Sequence, residues 1–197
     1  MEPFEKRMER KIIQVKEYLT YLKNMPQIEQ AAEVIATAFE TGHLLASAGN
    51  GGSASNADQL IGEFIGRLNI NRKPFGAVSF PGPAGFTAVG NDFGYDQVFA
   101  RQAKALLQKG DVFVGYSTSG NSANVIEAVR AAREKGATTI ALCGTEGQLR
   151  HEVDIALVIP MTDPQMMEET HLFITHMICD LVETRVSKND PEAFRVH

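Results

Sequence analysis

Apolar residues recur at spacings of three and four along residues 4–23, with charged and polar residues between them. The recurring positions are Phe4, Met8, Ile12, Val15, Leu19 and Leu22. This spacing predicts an amphipathic helix, because residues three and four apart share one face of a helix. A second stripe lies between Pro26 and Gly42, which mark a helix start and end. Its members are Ile28, Ala32, Ile35 and Phe39. We therefore predict N-terminal helices over residues 1–41.

The pattern changes after residue 42 to short apolar runs separated by helical stretches. The runs span 43–48, 75–80, 111–117, 138–144 and 154–160. The helical stretches lie near 54–66, 96–108, 122–135 and 165–187. Apolar strands that alternate with helices indicate a parallel sheet with helices on both faces. We predict an α/β fold in which residues 42–187 form a three-layer, doubly wound, five-stranded parallel sheet. With the N-terminal helices as an extension and 188–197 as a loosely held tail, residues 1–197 form a single domain.

Composition and charge narrow the possible partners. Apolar residues make up 44% of the chain and charged residues 22%, as in ordinary globular proteins. A net charge of −5 without a run of Lys or Arg argues against a nucleic-acid partner. No apolar stretch approaches the roughly 20 residues needed to span a membrane, so we expect no membrane partner. The charged N-terminus is unlike a signal peptide, and two cysteines cannot form a disulfide framework. We therefore expect a cytoplasmic protein.

Two loops rich in Gly, Asn and Ser follow predicted strands and precede predicted helices. They read AGNGGSASNAD over residues 48–58 and STSGNSAN over residues 117–124. In an open parallel sheet, ligands bind at the carboxyl ends of the strands, where such loops lie. Backbone N–H groups, hydroxyls and helix N-termini suit an anion, and the absence of lysine favours the monoester phosphate of a sugar. The same residue types also form turns and helix caps, and that alternative stays open.

Neither loop has a nucleotide-binding motif. A Walker loop requires G-K-[ST] after its glycines, and a Rossmann loop requires G-x-G-x-x-G. Because both patterns are missing, we expect no nucleotide cofactor.

Four stretches carry a resemblance to a known family. They read AGNGGSASNADQLIGEFIGR, AVGNDFGYDQVFARQ, GYSTSGNSANVIEAVRAAREKG and EETHLFITHMICDLVE. In this order they resemble sugar isomerase (SIS) domains, and specifically bacterial phosphoheptose isomerases, over residues 42–183. The resemblance implies a flavodoxin-like sheet and a homotetramer with sites shared between subunits. It also implies conversion of sedoheptulose 7-phosphate to D-glycero-D-manno-heptose 7-phosphate, the first step of ADP-heptose synthesis for lipopolysaccharide.

The resemblance assigns substrate contacts by position. The residues implied to hold the phosphate are Ser53, Ser117, Thr118, Ser119 and Ser122. The residues implied to orient the sugar are Asn50, Arg67 and Asp92. The predicted substrate-binding set is completed by Gly51, Gly52, Asn91 and Glu168.

Two side chains suit acid–base chemistry. Aldose–ketose isomerisation moves a proton between adjacent carbons through an enediol, which requires a base and an acid. The resemblance assigns Glu63 and His176 as this pair, delivered from different subunits. Judged on the residues alone, a solvated helix glutamate and a packed histidine remain the alternative. His171 lies elsewhere on the same predicted helix as His176, and we expect it to have a structural or interface role.

The resemblance also implies a metal, but two positions depart from its pattern. Many phosphoheptose isomerases hold zinc with His and Glu from the first sheet helix and Gln and His from the last helix. Here Gln59 stands at the first histidine position and Glu168 at the glutamine position. Gln59, Glu63, Glu168 and His176 could still hold zinc or another divalent cation. Alternatively, Glu63 and His176 transfer protons without a metal.

The departures at Gln59 and Glu168 leave other functions open. One is isomerisation of a different ketose phosphate. Another is a SIS-type regulatory protein that binds a sugar phosphate without turning it over. The presence of Glu63 and His176 favours the phosphoheptose isomerase hypothesis.

Overall fold

The computed structural model describes residues 2–80 and 82–196 of the chain. Its helices are α1 (Phe4–Leu22), α2 (Gln27–Glu40), α3 (Gly52–Ile65), α4 (Pro83–Phe93), α5 (Ala100–Leu106), α6 (Ala123–Glu134) and α7 (Pro164–Val186). Its strands are β1 (Leu45–Gly49), β2 (Ile70–Asn71), β3 (Ala77–Ser79), β4 (Val112–Ser117), β5 (Thr138–Gly144), β6 (Ile155–Ile159) and β7 (Phe194–Arg195).

Five parallel strands form the central sheet in the order β3-β1-β4-β5-β6. This order confirms the predicted doubly wound, flavodoxin-like sheet. The chain proceeds from β1 outward in one direction to β3 and in the other direction to β4, so the strand order reverses between β1 and β4. Ligands of such sheets bind in the crevice at that reversal, beyond the carboxyl ends of the two strands.

Helices cover both faces of the sheet and divide the core in two. Side chains alternate between the faces along each strand, so Leu45 contributes to one cluster and Ala46 to the other. The first cluster lies under α2, α3 and α7 and contains the ring pair Phe39 and Phe64. The second cluster lies under α5 and α6. The prediction of three layers is therefore confirmed.

The segment between β3 and β4 differs most from the sequence prediction. The apolar pattern predicts one helix over residues 96–108, whereas the structure forms α4, a single 3-10 turn at Tyr95–Gln97, and then α5. Gly94, with a φ of 88°, separates α4 from the turn. No described residue of α4 is buried. Phe86 and Val89 of α4 pack against the second cluster but stay only partly buried, so the helix lacks the long apolar stripe that marks the other helices in the sequence.

Helix α1 leaves most of its apolar stripe uncovered. Leu22 is its one buried residue among those described, whereas Phe4 is 77% and Ile12 61% exposed. Near its middle, the Lys11 ammonium contacts the Asp163 carboxylate at 3.0 Å. This helix therefore offers an apolar surface that the chain itself does not bury.

The C-terminal residues, which the sequence predicts to be loosely held, pair with another short strand. β7 runs antiparallel to β2, with Ile70 opposite Arg195 and Asn71 opposite Phe194. Both residues of β7 are exposed. Among the helices of residues 2–80 and 82–196, none has the length and apolar character to cross a membrane.

Candidate active site

Two loops meet at the point where the strand order reverses. The first follows β1, the second follows β4, and their side chains are joined by a reciprocal amide pair. Asn50 Nδ2 donates to Asn124 Oδ1 at 2.8 Å, and Asn124 Nδ2 donates to Asn50 Oδ1 at 2.9 Å. Asn124 is 1% exposed, so the pair is partly shielded from water. The amide pair fixes the two loops relative to each other.

The first loop turns sharply into α3. Gly51 has a φ of 57°, a conformation that favours glycine, and Gly52 begins the helix. Its neighbour Ser53 is only 4% exposed. The Glu168 carboxylate of α7 lies so close to Gly52 that a Cβ there would overlap it. A negative charge at a helix N-terminus interacts favourably with the helix dipole, so Glu168 stabilises this loop.

The second loop directs its hydroxyls toward one another rather than capping α6. Ser117 Oγ and Ser122 Oγ lie 3.0 Å apart, and the backbone N–H of Asn121 donates to Ser119 Oγ at 3.2 Å. Ser122 is the N-cap residue of α6, yet its side chain makes no capping hydrogen bond to the described chain. The first turn of α6 therefore has N–H groups available for an external acceptor.

Close backbone packing shapes this second loop. Gly120 has a φ of 66°, and a Cβ on Gly147 would overlap the Gly120 backbone. The N–H of Leu149 donates to the Gly120 carbonyl at 2.9 Å, and that of Gln148 donates to Asn121 Oδ1 at 3.1 Å. Two glycines are therefore required for the loop after β5 to support the loop after β4.

A cleft of about 430 Å³ opens beside the second loop. It extends across the ends of β5 and β6 to the first turn of α7. Its hydroxyl-bearing residues are Thr118, Ser119, Thr145 and Thr162, and Met167 supplies an apolar wall. Hydroxyls on one side and apolar surface on the other suit a small polar ligand with a carbon skeleton.

Glu63 and His176 lie beside each other in a single chain. His176 Nε2 is 3.9 Å from Glu63 Oε1, and the Glu63 side chain is 13% exposed against 41% for His176. The side-chain amide of Gln59, one turn earlier on α3, donates a hydrogen bond to the same Glu63 oxygen. The family resemblance implied that the pair comes from different subunits, whereas the fold itself brings a carboxylate and an imidazole together.

A buried ion pair supports the end of α3 that carries Glu63. Arg72 Nη2 lies 3.0 Å from Glu183 Oε1, and both side chains are 1% exposed. Arg72 Nη2 also donates to the carbonyl of Glu63 at 2.7 Å. Burial lowers the pKa of Arg72, and the Glu183 carboxylate opposes this effect. The pair links the C-terminal end of α3 to α7, the helix that carries His176.

The four residues that the resemblance implies for a metal are not assembled around one point. Gln59 points its amide nitrogen at Glu63, while the Glu168 carboxylate lies against Gly52. Within residues 2–80 and 82–196, no group of three or more His, Cys, Asp or Glu side chains is arranged to hold an ion. Glu63 Oε1 already accepts a hydrogen bond from Gln59 and faces only one imidazole, that of His176. A structural zinc site requires four ligands around the ion, which these groups do not provide. The arrangement of these four residues does not fit a bound zinc ion.

The remaining predicted sugar contacts lie on exposed segments. Arg67 follows the end of α3, and Asn91 and Asp92 bond to each other on α4 at 2.9 Å. The structure does not bring these three side chains into contact with the two loops. Tyr95 instead makes the connection, because its hydroxyl donates to Asn50 Oδ1 at 2.8 Å.

His171 lies in the core, in agreement with a structural role. Its ring is fully buried and meets the Tyr116 ring edge-on at 6.1 Å between centroids. Neither ring nitrogen has a hydrogen-bond partner among the described residues. Burial lowers the pKa of His171 to about 3, so the ring is neutral at physiological pH.

Several residues that shape the site were not predicted. Those residues are Arg72, Tyr95, Asn124, Thr145, Thr162 and Glu183. Thr145 and Thr162 could have been found, because they lie one and two residues after the predicted strands at 138–144 and 154–160, where ligands bind. Tyr95 and Asn124 lie inside the quoted motifs, but their partner Asn50 is distant in sequence.

Comparisons with known proteins agree with this arrangement. Residues 12–144 match the family model described as SIS domain. The phosphoheptose isomerase of Geobacter sulfurreducens is 44% identical over 162 residues, which cover 81% of this chain and 86% of that protein. The solved phosphoheptose isomerase of Neisseria gonorrhoeae is 33% identical, with a TM-score of 0.85, and the match covers 92% of this chain and 100% of that one. That of Francisella tularensis is 29% identical, with the same TM-score and coverage of 93% and 100%.

Proposed function

Because this chain belongs to the phosphoheptose isomerase family of SIS-domain proteins, we propose that it isomerises sedoheptulose 7-phosphate to D-glycero-D-manno-heptose 7-phosphate. The observation that carries the proposal is the Glu63–His176 pair, with Nε2 and Oε1 3.9 Å apart on neighbouring helices. A base and an acid at this spacing are what a ketose–aldose proton transfer requires. A regulatory sugar-phosphate binder would have no need for such a pair.

In the proposed reaction, Glu63 takes a proton from C1 of the open-chain ketose while His176 donates a proton to the C2 carbonyl oxygen. An enediol results. The Glu63 carboxyl then returns its proton to C2, and the O1 hydroxyl gives its proton to His176 as the C1 carbonyl forms. Both residues end in their starting protonation states, and no atoms are gained or lost. Every proton in this scheme moves through side chains of the protein.

The phosphate is proposed to bind at the second loop and the first turn of α6. Ser117, Thr118, Ser119 and Ser122 supply hydroxyls, and Ser53 lies buried at the start of α3 beside the first loop. The absence of a side-chain cap at Ser122 in the described chain supports this proposal, because the helix N-terminus is left for an anion. The cleft beside Thr118 and Ser119 provides space for the carbon chain.

The sugar hydroxyls are proposed to meet residues that orient them around the two loops. Gly51 leaves open space beside the backbone for the ligand, Gly52 leaves room for the Glu168 carboxylate, and Asn50 joins the first loop to the second. Arg67, Asn91, Asp92 and Glu168 remain in this proposed set as polar groups at its edges. Asn91 and Asp92 lie at the end of α4, shortly before the turn whose Tyr95 hydroxyl donates to Asn50.

We propose that the active form is a homotetramer with sites between subunits. The pair Glu63 and His176 is flanked by exposed apolar side chains, with Ile65 53%, Phe173 38% and Met177 40% exposed. Helix α1 adds its uncovered stripe. Apolar surface around a polar catalytic pair is expected where another copy of the chain packs and excludes water. A cytoplasmic location and supply of ADP-heptose for lipopolysaccharide complete the proposal.

The test is an NMR time course of the purified protein with sedoheptulose 7-phosphate, before and after chelation and with added zinc. Appearance of the aldoheptose 7-phosphate is the expected result. Glu63→Gln is the blank, because glutamine can still accept the Gln59 hydrogen bond but cannot act as a base. Saturable binding without product in any condition would instead favour another ketose phosphate or a regulatory role.

A further inference from the structure

The catalytic glutamate has a direct side-chain partner in Gln59. The Gln59 side chain, exposed on α3, donates its amide nitrogen to Glu63 Oε1, the oxygen that also faces His176 Nε2. We propose that Gln59 is a positioning residue, which holds the Glu63 carboxylate by this hydrogen bond and makes a metal ion unnecessary. The inference rests on the proposed isomerase function of the same site.

The hydrogen bond makes the two carboxylate oxygens of Glu63 unequal. Oε1 accepts from Gln59 and faces His176, whereas no hydrogen bond of the described chain ends on Oε2. A carboxylate can accept at both oxygens, so Oε2 remains able to take a proton from carbon. Gln59 therefore fixes the orientation of the group through one oxygen and leaves the other for chemistry.

The main chain of Glu63 is fixed as well. Arg72 Nη2 donates to the Glu63 carbonyl at 2.7 Å, and Arg72 itself is held by the buried Glu183 carboxylate at 3.0 Å. With its backbone anchored there and its side chain anchored by Gln59, the Glu63 carboxylate loses most of its rotational freedom. A general base gains from this, because proton transfer depends on a narrow range of distances.

The chemistry of the contact also bears on metal binding. A carboxylate cannot donate, so the nitrogen end of the Gln59 amide must face Glu63 and its oxygen points elsewhere. A metal shared by the two residues would need the Gln59 oxygen, not the nitrogen, on that side. The neutral Gln59 amide also withdraws less charge from the Glu63 carboxylate than a divalent cation would, so the carboxylate stays a stronger base. The hydrogen bond and a shared metal are therefore mutually exclusive.

The experiment compares wild type with Gln59→Met, which preserves length but cannot donate. Gln30→Met makes the same chemical change at an exposed position of α2 and serves as the matched control. We expect Gln59→Met to lower kcat by about 10-fold or more with KM within about 2-fold, since substrate binding does not use this contact. Gln30→Met should leave both constants unchanged.

Metal content is measured by elemental analysis on the same preparations after incubation with zinc and desalting. Gln59→His creates a group of two histidines and a carboxylate and should retain zinc, whereas wild type should retain little. Chelation should leave the wild-type kcat unchanged. Retention of one zinc per wild-type chain, loss of activity on chelation, or full kcat in Gln59→Met would each overturn the proposal. A wild type inactive toward sedoheptulose 7-phosphate in every condition would overturn the proposed function itself, and this proposal with it.

Discussion

Arg72 and Glu183 form an ion pair that is almost completely buried, with Nη2 and Oε1 3.0 Å apart and each side chain 1% exposed. The Glu183 carboxylate also accepts the backbone N–H groups of Leu68, Asn69 and Ile70. One carboxylate of α7 thus organises the segment that leaves α3 just beyond Glu63, the proposed base. Its energetic role can be tested separately from catalysis.

Glu183→Gln should lower the free energy of unfolding by about 3–5 kcal/mol, because it leaves the Arg72 charge buried without a counter-charge. The amide nitrogen would also face N–H donors that it cannot pair with. Urea unfolding followed by circular dichroism measures the change. The control is Glu127→Gln, which breaks an exposed ion pair with Arg130 and should barely move the unfolding midpoint. Equal midpoints for both variants would show that the buried pair does not stabilise the fold.

Sequence patterns predict those parts of the fold in which local periodicity reflects burial. The stripe from Ile28 to Phe39 packs into the core, and α2 lies where the pattern predicts it. By contrast, none of the described residues of α4 is buried, and the sequence of this helix shows no clear apolar periodicity. Pairing between distant segments is also invisible locally. Asn50 and Asn124 are 74 positions apart and meet only because β1 and β4 are neighbours in the sheet.

The proposed catalytic pair, Glu63 and His176, illustrates the same limit. Residue type and spacing alone leave Glu63 as an ordinary helix glutamate, and the resemblance was needed to single it out. The Gln59 substitution is visible in the sequence, but its consequence is not. Only the packing of α3 against α7 shows that the amide and His176 meet the same carboxylate oxygen. Contacts of this kind depend on side-chain rotamers and on how the helices pack, and neither can be read from the spacing of residues in the sequence.

The second loop should account for most of the affinity for phosphate. Ser119→Ala combined with Ser122→Ala should weaken binding of sedoheptulose 7-phosphate by about 1–3 kcal/mol, since each hydroxyl lost removes a hydrogen bond to the anion. Isothermal titration into the Glu63→Gln background measures affinity without turnover. Ser55→Ala, at an exposed position of α3, is the matched control and should bind normally. Unchanged affinity in the double variant would mean that these serines serve only the loop conformation.

Association of subunits should depend on the uncovered face of α1. Ile12→Glu places a charge where the side chain is 61% exposed in the single chain, so the fold should tolerate it while a tetramer should not. Sedimentation analysis is expected to give a tetramer for wild type and smaller species for this variant. Leu106→Glu, 52% exposed at the end of α5, is the control and should retain the wild-type mass. A monomeric wild type at assay concentration would contradict the tetramer.

His171 should make the fold sensitive to acid. Burial lowers its pKa in the folded state to about 3, below the ordinary value of 6.5, so the unfolded chain binds the extra proton first. Stability from this residue is therefore complete above pH 6.5 and is lost as the pH falls toward 3, with a slope of up to about 1.4 kcal/mol per pH unit. His171→Phe keeps an aromatic ring beside Tyr116 but cannot be protonated. Urea unfolding at several pH values between neutral and mildly acidic should give a flatter stability curve for the variant. Parallel curves for the two proteins would show that His171 does not carry the acid sensitivity.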